Sequence, residues 1–202
     1  MRAFRFNPLA YRPPTPQAAV PLGPLKVDHT TTEMYVVSGD RDTQARKKLD
    51  LIRRHVIEPA LSNGPRGMAY TRRLLAQALQ RAPHFVNGHH KAREAVWIFE
   101  WVRRQLRYVN DPTRRELFQQ LPELFQGGIG DCDDFTAALG ALLKAAGFNV
   151  KARLIELRPG GGWAHIYPLV ELKGRGWVPL DATENHPAGW QARHHRALDL
   201  EL

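Results

Sequence analysis

Apolar residues recur at helical spacing through the first half of the chain and at strand spacing near its end. In "RDTQARKKLDLIRRHVIEPALS" Leu49, Ile52 and Val56 share one stripe and predict a helix that Pro59 ends or kinks. "YTRRLLAQALQRA" turns Leu75 and Leu79 inward and predicts a second helix, stopped before Pro83. "HHKAREAVWIFEWVRRQLRYV" predicts a core helix, because Ala95, Val96, Phe99, Val102 and Leu106 give it a wide apolar face. "DPTRRELFQQLPELF" predicts one or two short helical turns. Asp131 then caps a helix whose buried stripe is Phe135, Leu139, Leu142 and Leu143, and Gly147 is placed to end it. Beyond it the period changes. Residues 149–157, 163–172 and 175–180 predict three strands, separated by the turn sequences "RPGGG" and "KGRG". Connections this short favour an antiparallel meander.

Upstream of the helices, "TTTEMYVV" at 30–37 predicts a short strand and Ser38-Gly39-Asp40 a turn. Residues 7–24 hold Pro8, Pro13, Pro14, Pro16, Pro21 and Pro24, a spacing that forbids helix and interior strand and predicts an extended arm. The tail after Thr183 shows no clear pattern. The expected fold is therefore α+β: a cysteine-bearing helix packed on an antiparallel sheet, with added helices and the arm. The expected division is residues 1–39 for the arm and short strand, 40–96 for a helical extension and 97–202 for the core.

With 43% hydrophobic and 24% charged residues the composition is that of a water-soluble globular protein. The opening "MRAFRFNPLAYRPPTP" has arginines but no continuous apolar run, so it predicts neither a secretory signal nor a membrane span. Cytoplasmic residence in the producing cell is the expectation. The net charge of +9 lies in the first half: residues 1–110 hold 19 Lys/Arg against 8 Asp/Glu, and residues 111–202 hold 10 against 12. A basic half can meet nucleic acid or another anionic surface. Here the cations fall at helical spacings without interleaved aromatics, which favours solvated helix faces over a nucleic-acid platform.

Cys132 is the single cysteine, so no intrachain disulfide forms, and it sits in "QGGIGDCDDF" where glycine-rich backbone turns into a helix. A helix start stabilises a thiolate, and the glycines open backbone amides to a substrate oxygen. Asp131, Asp133 and Asp134 oppose the thiolate, so a cationic histidine partner is required. Of nine histidines, His165 in "WAHIY" is the one on a predicted core strand; His84, His89, His90, His194 and His195 read as surface residues. The pairs His89-His90 and His194-His195 lack the spacing of a zinc site. Asp181 follows "GWVPL" at the exit of the next strand, where adjacent antiparallel strands can set it beside His165. Nucleophile, base and orienting carboxylate are then all present.

These segments resemble the transglutaminase-like superfamily of papain-related cysteine enzymes. "GDCDDFTAALGALLKAAGFNVKARL" is similar to the family's cysteine helix and first strand, and "WAHIYPLVELKGRGWVPLDAT" to its histidine and aspartate strands. The resemblance covers about residues 97–184, and "YVNDP" at 108–112 resembles bacterial and tailed-phage members. It implies Cys132 as nucleophile, His165 as base and Asp181 as orienter. Papain-like enzymes place an oxyanion glutamine six positions before the cysteine, which here is Gln126; the alternative is a polar loop residue. Trp163 either shields the histidine or belongs to the core, and Trp177 reads as core. Some bacterial relatives bind calcium through acids beside the cysteine, and Asp131, Asp133 and Asp134 are oxygen ligands of that type. One helix start offers fewer ligands than calcium takes, and capping accounts for Asp131 and Asp134. No cofactor is expected.

Two functions remain open on this reading. One is a thiol hydrolase acting on a peptide or isopeptide bond, whose residues could equally pass the acyl group to an amine as a crosslinking transglutaminase. The other is a structural or interaction protein of a phage virion, tail or head, built on the same scaffold. The expected partners are a peptide or protein substrate and other phage structural proteins.

Overall fold

A computed structural model describes residues 33–34, 40–80, 90–111 and 117–202. The arm at 7–24 and all of the expected 30–37 strand except Glu33 and Met34 lie outside the described residues. In chain order the elements are β1 (Glu33–Met34), α1 (Arg41–Ile52), a π-helical turn (Arg53–Ile57), α2 (Glu58–Leu61), α3 (Met68–Leu79), α4 (His90–Gln105), β2 (Arg107–Tyr108), β3 (Leu117–Phe118), α5 (Leu121–Gly127), β4 (Ile129–Gly130), α6 (Cys132–Ala145), β5 (Val150–Glu156), β6 (His165–Leu172), β7 (Gly176–Pro179) and β8 (Arg196–Glu201).

Asp40 starts α1 by accepting the N–H groups of Asp42 and Thr43, each at 3.1 Å. Pro59 neither ends nor breaks the helical path. The chain widens into the π-helical turn just before it, with the Glu58 N–H bonded to the Arg53 carbonyl five residues back. This change of hydrogen-bond step takes up the misfit of a residue without an N–H. Gly147 closes α6 with φ of +80°, a backbone geometry that side chains resist.

The sheet has the order β7-β6-β5-β8, with every neighbour antiparallel. The predicted meander accounts for β5, β6 and β7. Strand β8 was not expected, because only Leu198 and Leu200 alternate with polar residues in an otherwise mostly polar tail. It forms because β5 is buried through most of its length and its second edge needs a hydrogen-bonding partner. Trp177, expected in the core, is 36% exposed. It stands on the short edge strand β7, where the Lys151 ammonium lies 4.5 Å from the centre of its ring.

Helix α6 is the centre of the molecule. It lies between the sheet and the other helices, touching β6 on one side and α3, α4 and the π-helical turn on the others. One buried cluster joins Leu49, Ile52, Leu74, Ile98 and Phe99 from the upstream helices to Leu139, Leu142, Val150 and Val170. Gly140 lets Leu202, just past β8, approach α6 more closely than a Cβ would permit. Among the described residues no helix is long and apolar enough to cross a membrane.

Leu142 is fully buried at this centre. Leu142→Ala should therefore lower the unfolding free energy by about 2–5 kcal/mol, measured by urea denaturation followed by circular dichroism.

Candidate active site

The start of α6 is built by its acids. Asp131 accepts the N–H groups of Asp133 at 2.9 Å and Asp134 at 3.3 Å, and Asp134 reaches back to the Asp131 N–H at 3.4 Å, forming a capping box. Asp134 is further bonded by the Gln119 backbone N–H at 3.1 Å and side-chain amide at 2.9 Å. Thr136, one turn in, donates to the Cys132 carbonyl at 2.7 Å and to the Ile166 carbonyl at 3.2 Å. That hydroxyl ties the first turn of α6 to β6 next to His165.

His165 opens β6, opposite Ile155 of β5. The ladder from β6 to β7 continues past Pro179 through the Leu180 N–H, which donates to the Pro168 carbonyl at 2.9 Å. This brings Asp181, 3% exposed, to His165: Asp181 Oδ2 lies 2.8 Å from His165 Nε2. Thr183 fixes the carboxylate from the other side, donating its N–H at 3.2 Å and its hydroxyl at 2.6 Å to Asp181 Oδ1. The same hydroxyl oxygen is 3.3 Å from His165 Nε2. Nε2 is thus engaged on a residue that itself lines the cavity described next.

Cys132 and His165 line one cavity of about 360 Å³, together with Phe118, Trp163 and, from α1, Arg41 and Lys48. Trp163 is half-buried; its indole N–H donates to the Arg41 carbonyl at 3.0 Å, so it joins the sheet side of the cavity to α1. Gln126 lies exposed in the last turn of α5 and does not line this cavity.

Burial pushes the Cys132 thiol well up from its ordinary range, and Asp133 and Asp131 push it further; Lys48 and the Ile166 N–H pull it back. The thiol contacts Asp133 Oδ1 at 3.8 Å. Burial likewise raises Asp134, to about 7, against the pull of the Gln119 bonds. Asp131 is also raised, by burial and by the neighbouring Asp134 and Asp111. Tyr108 of β2 is pushed up to about 12, by its own desolvation first and then by Cys132, Asp131, Asp133 and Asp181. Its hydroxyl, bonded to Asn110 Oδ1 at 2.9 Å, therefore lies in the field of the site.

Ligand atoms of Asp131, Cys132 and Asp133 lie within 4.8 Å of one another. They do not fit calcium. Asp131 Oδ1 is taken by capping, and Lys48 Nζ lies 2.6 Å from Asp133 Oδ2, so a dication would have to share that oxygen with an ammonium.

Thr183, Tyr108 and Lys48 are among the residues at the site that had no role in the sequence reading. For Thr183 the available signal was its spacing from Asp181 in "DAT", which suits a side-chain-to-backbone turn. Tyr108 was legible only as part of "YVNDP". Lys48 gave no signal, being one cation among several on a predicted helix.

The profile of the transglutaminase-like superfamily matches residues 80–182. Among solved structures, a proposed protease from Parabacteroides distasonis aligns with a TM-score of 0.48 at 11% identity, covering 69% of this chain and 26% of that one. A proposed cysteine protease from Cytophaga hutchinsonii aligns with a TM-score of 0.41 at 14% identity, covering 74% of this chain and 58% of that one. This chain thus spans less than two thirds of either. No curated protein matches it in sequence.

The raised carboxylates give a pH dependence of known sign. A carboxyl whose folded pKa lies above its unfolded value favours folding while protonated, and that contribution is lost as pH rises from about 3.8 through about 7. Asp131→Asn keeps a capping oxygen and removes one of these charges. It should gain stability relative to the parent protein between pH 5 and pH 8, read from urea midpoints at the two values.

Proposed function

Because the chain belongs to the transglutaminase-like superfamily, we propose that it is a thiol hydrolase that cleaves a peptide or isopeptide bond through Cys132, His165 and Asp181. The observation that carries this reading is the shared cavity of Cys132 and His165, with His165 Nε2 held 2.8 Å from a buried carboxylate. The resting thiol is protonated, since burial and two acids oppose its ionisation. Its proton passes to His165 Nδ1, and the sulfur attacks the substrate carbonyl. Asp181 holds the imidazole in orientation and stabilises the imidazolium, and Thr183 holds Asp181. The capping bonds from Asp131 take the amides of Asp133 and Asp134, not that of Cys132. The Cys132 N–H is therefore the amide assigned to the developing oxyanion. Imidazolium gives its proton to the leaving amine, and water then releases the acyl group by the same base.

An amine in place of water would give transamidation with the same residues, so acyl transfer is the second chemistry of the proposal. The substrate is a protein or peptide on either course. A docking role in a larger assembly, such as a phage particle, is assigned to the basic N-terminal half on charge alone. A scaffold without activity would not need Asp181 and Thr183 arranged on His165.

Cleavage of fluorescein-labelled casein and incorporation of monodansylcadaverine into casein would separate hydrolysis from transfer. Cys132→Ala should abolish whichever is found, and His165→Ala should lower it by about 10²–10⁴-fold. His165→Ala should also slow alkylation of Cys132 by iodoacetamide near neutral pH. Equal alkylation rates in the parent and His165→Ala proteins would remove His165 from the mechanism.

A further inference from the structure

Lys48 stands on α1, outside the segment matched to the family at 80–182. Its ammonium lies 2.6 Å from Asp133 Oδ2, and the Asp133 side chain is 1% exposed. The other oxygen of that carboxylate faces Cys132 Sγ at 3.8 Å. One carboxylate thus stands between a cation from α1 and the sulfur. Lys48, Asp133, Cys132 and His165 all line the same cavity.

We infer that Lys48 is a positioning residue for the nucleophile: it holds the Asp133 carboxylate against the Cys132 sulfur and offsets its charge, so that a thiolate can form there. The inference rests on the Cys132–His165 reading above. Asp133 has a use in the resting state, because its oxygen is placed to accept the S–H and so fix the sulfur. The same charge is a liability once the proton leaves. Two anions 3.8 Å apart in a dry site repel strongly. Pairing Asp133 with an ammonium turns it into a nearly neutral unit that still accepts a hydrogen bond.

The other charged and titratable groups around the sulfur do not replace Lys48. Asp131, on the same helix, adds negative charge, and Asp111 acts on Asp131. Tyr108 from β2 is held neutral by its raised pKa of about 12. His165 from β6 is the proton acceptor, with Asp181 behind it. Arg41 reaches the cavity from the start of α1, but its guanidinium bonds the Gly160 carbonyl at 2.6 Å and Glu156 at 3.4 Å.

The pH profile of Cys132 alkylation by iodoacetamide, followed by intact-protein mass spectrometry, tests this without a substrate. Lys48→Met should move the profile up by about one pH unit, so that the rate at pH 7 falls about tenfold. Lys48→Arg should stay with the parent protein. Asp133→Asn should move the profile down, and Asp133→Asn combined with Lys48→Met should abolish the upward move. A Lys48→Met profile that superimposes on the parent's, with only a lower melting temperature, would overturn the inference and leave Lys48 a structural ion pair. So would a double variant that behaves like Lys48→Met alone. If Lys48→Met does not fold, Asp133→Asn decides, and an unchanged profile in that variant overturns the inference. His165→Ala, run in parallel, separates the two readings. An effect of His165→Ala with none of Lys48→Met overturns Lys48 alone, while the reverse pattern overturns the triad and sustains the hold of Lys48 on the sulfur.

Discussion

Helix α6 is buried along nearly its whole length, charged first turn included, with Asp133 and Asp134 only 1% and 2% exposed. A helix start buried in this way must find partners for its free amides and its carboxylates, since unpaired polar groups in a dry interior are costly. Most of the surrounding structure answers that requirement. The capping box satisfies the amides from within the helix. Gln119, next to β3, supplies two donors to Asp134, and Lys48 comes from α1 to Asp133. The thiol is left at the one point where this cap meets β6.

The electrostatics of the site are then a balance of opposed effects. The helix start favours a thiolate, but burial and the acids disfavour it by more, and the thiol is raised overall. Both the burial and the acids favour the protonated thiol. His165, on the same cavity, is bonded to Asp181, a carboxylate nearly inaccessible to water and bonded on both oxygens. Low exposure strengthens each of these bonds, and it makes the loss of any one partner costly.

The upstream helices are part of the same construction. Arg41, Ala45 and Lys48 of α1 line the cavity, and the Trp163 indole fastens to the Arg41 carbonyl. Residues of α1, α3 and α4 share one buried cluster with α6 and the sheet. Segments that precede the family-matched region therefore form one wall of the site.

Periodicity and local chemistry were enough to place α6, its Asp131 cap, the strands β5 to β7 and the order Cys132, His165, Asp181. Each of these depends on interactions within a few residues or between neighbours joined by short turns, and such interactions leave a spacing in the sequence. The pattern was silent wherever the partner came from far along the chain. Strand β8 exists because β5 has an edge to fill, not because "RALDLE" is a strong strand sequence. Trp177 is exposed to solvent because β7 ended as an edge. The position of Gln126, exposed on α5 and away from the cavity, follows from how α5 packs rather than from its count of residues before Cys132. Lys48 meets Asp133 from 85 positions away in the chain, and a contact made by two long-separated helices has no period to read. Local sequence determined which residues could do chemistry here; only the packing of α1 and the sheet against α6 decided which charges surround the sulfur.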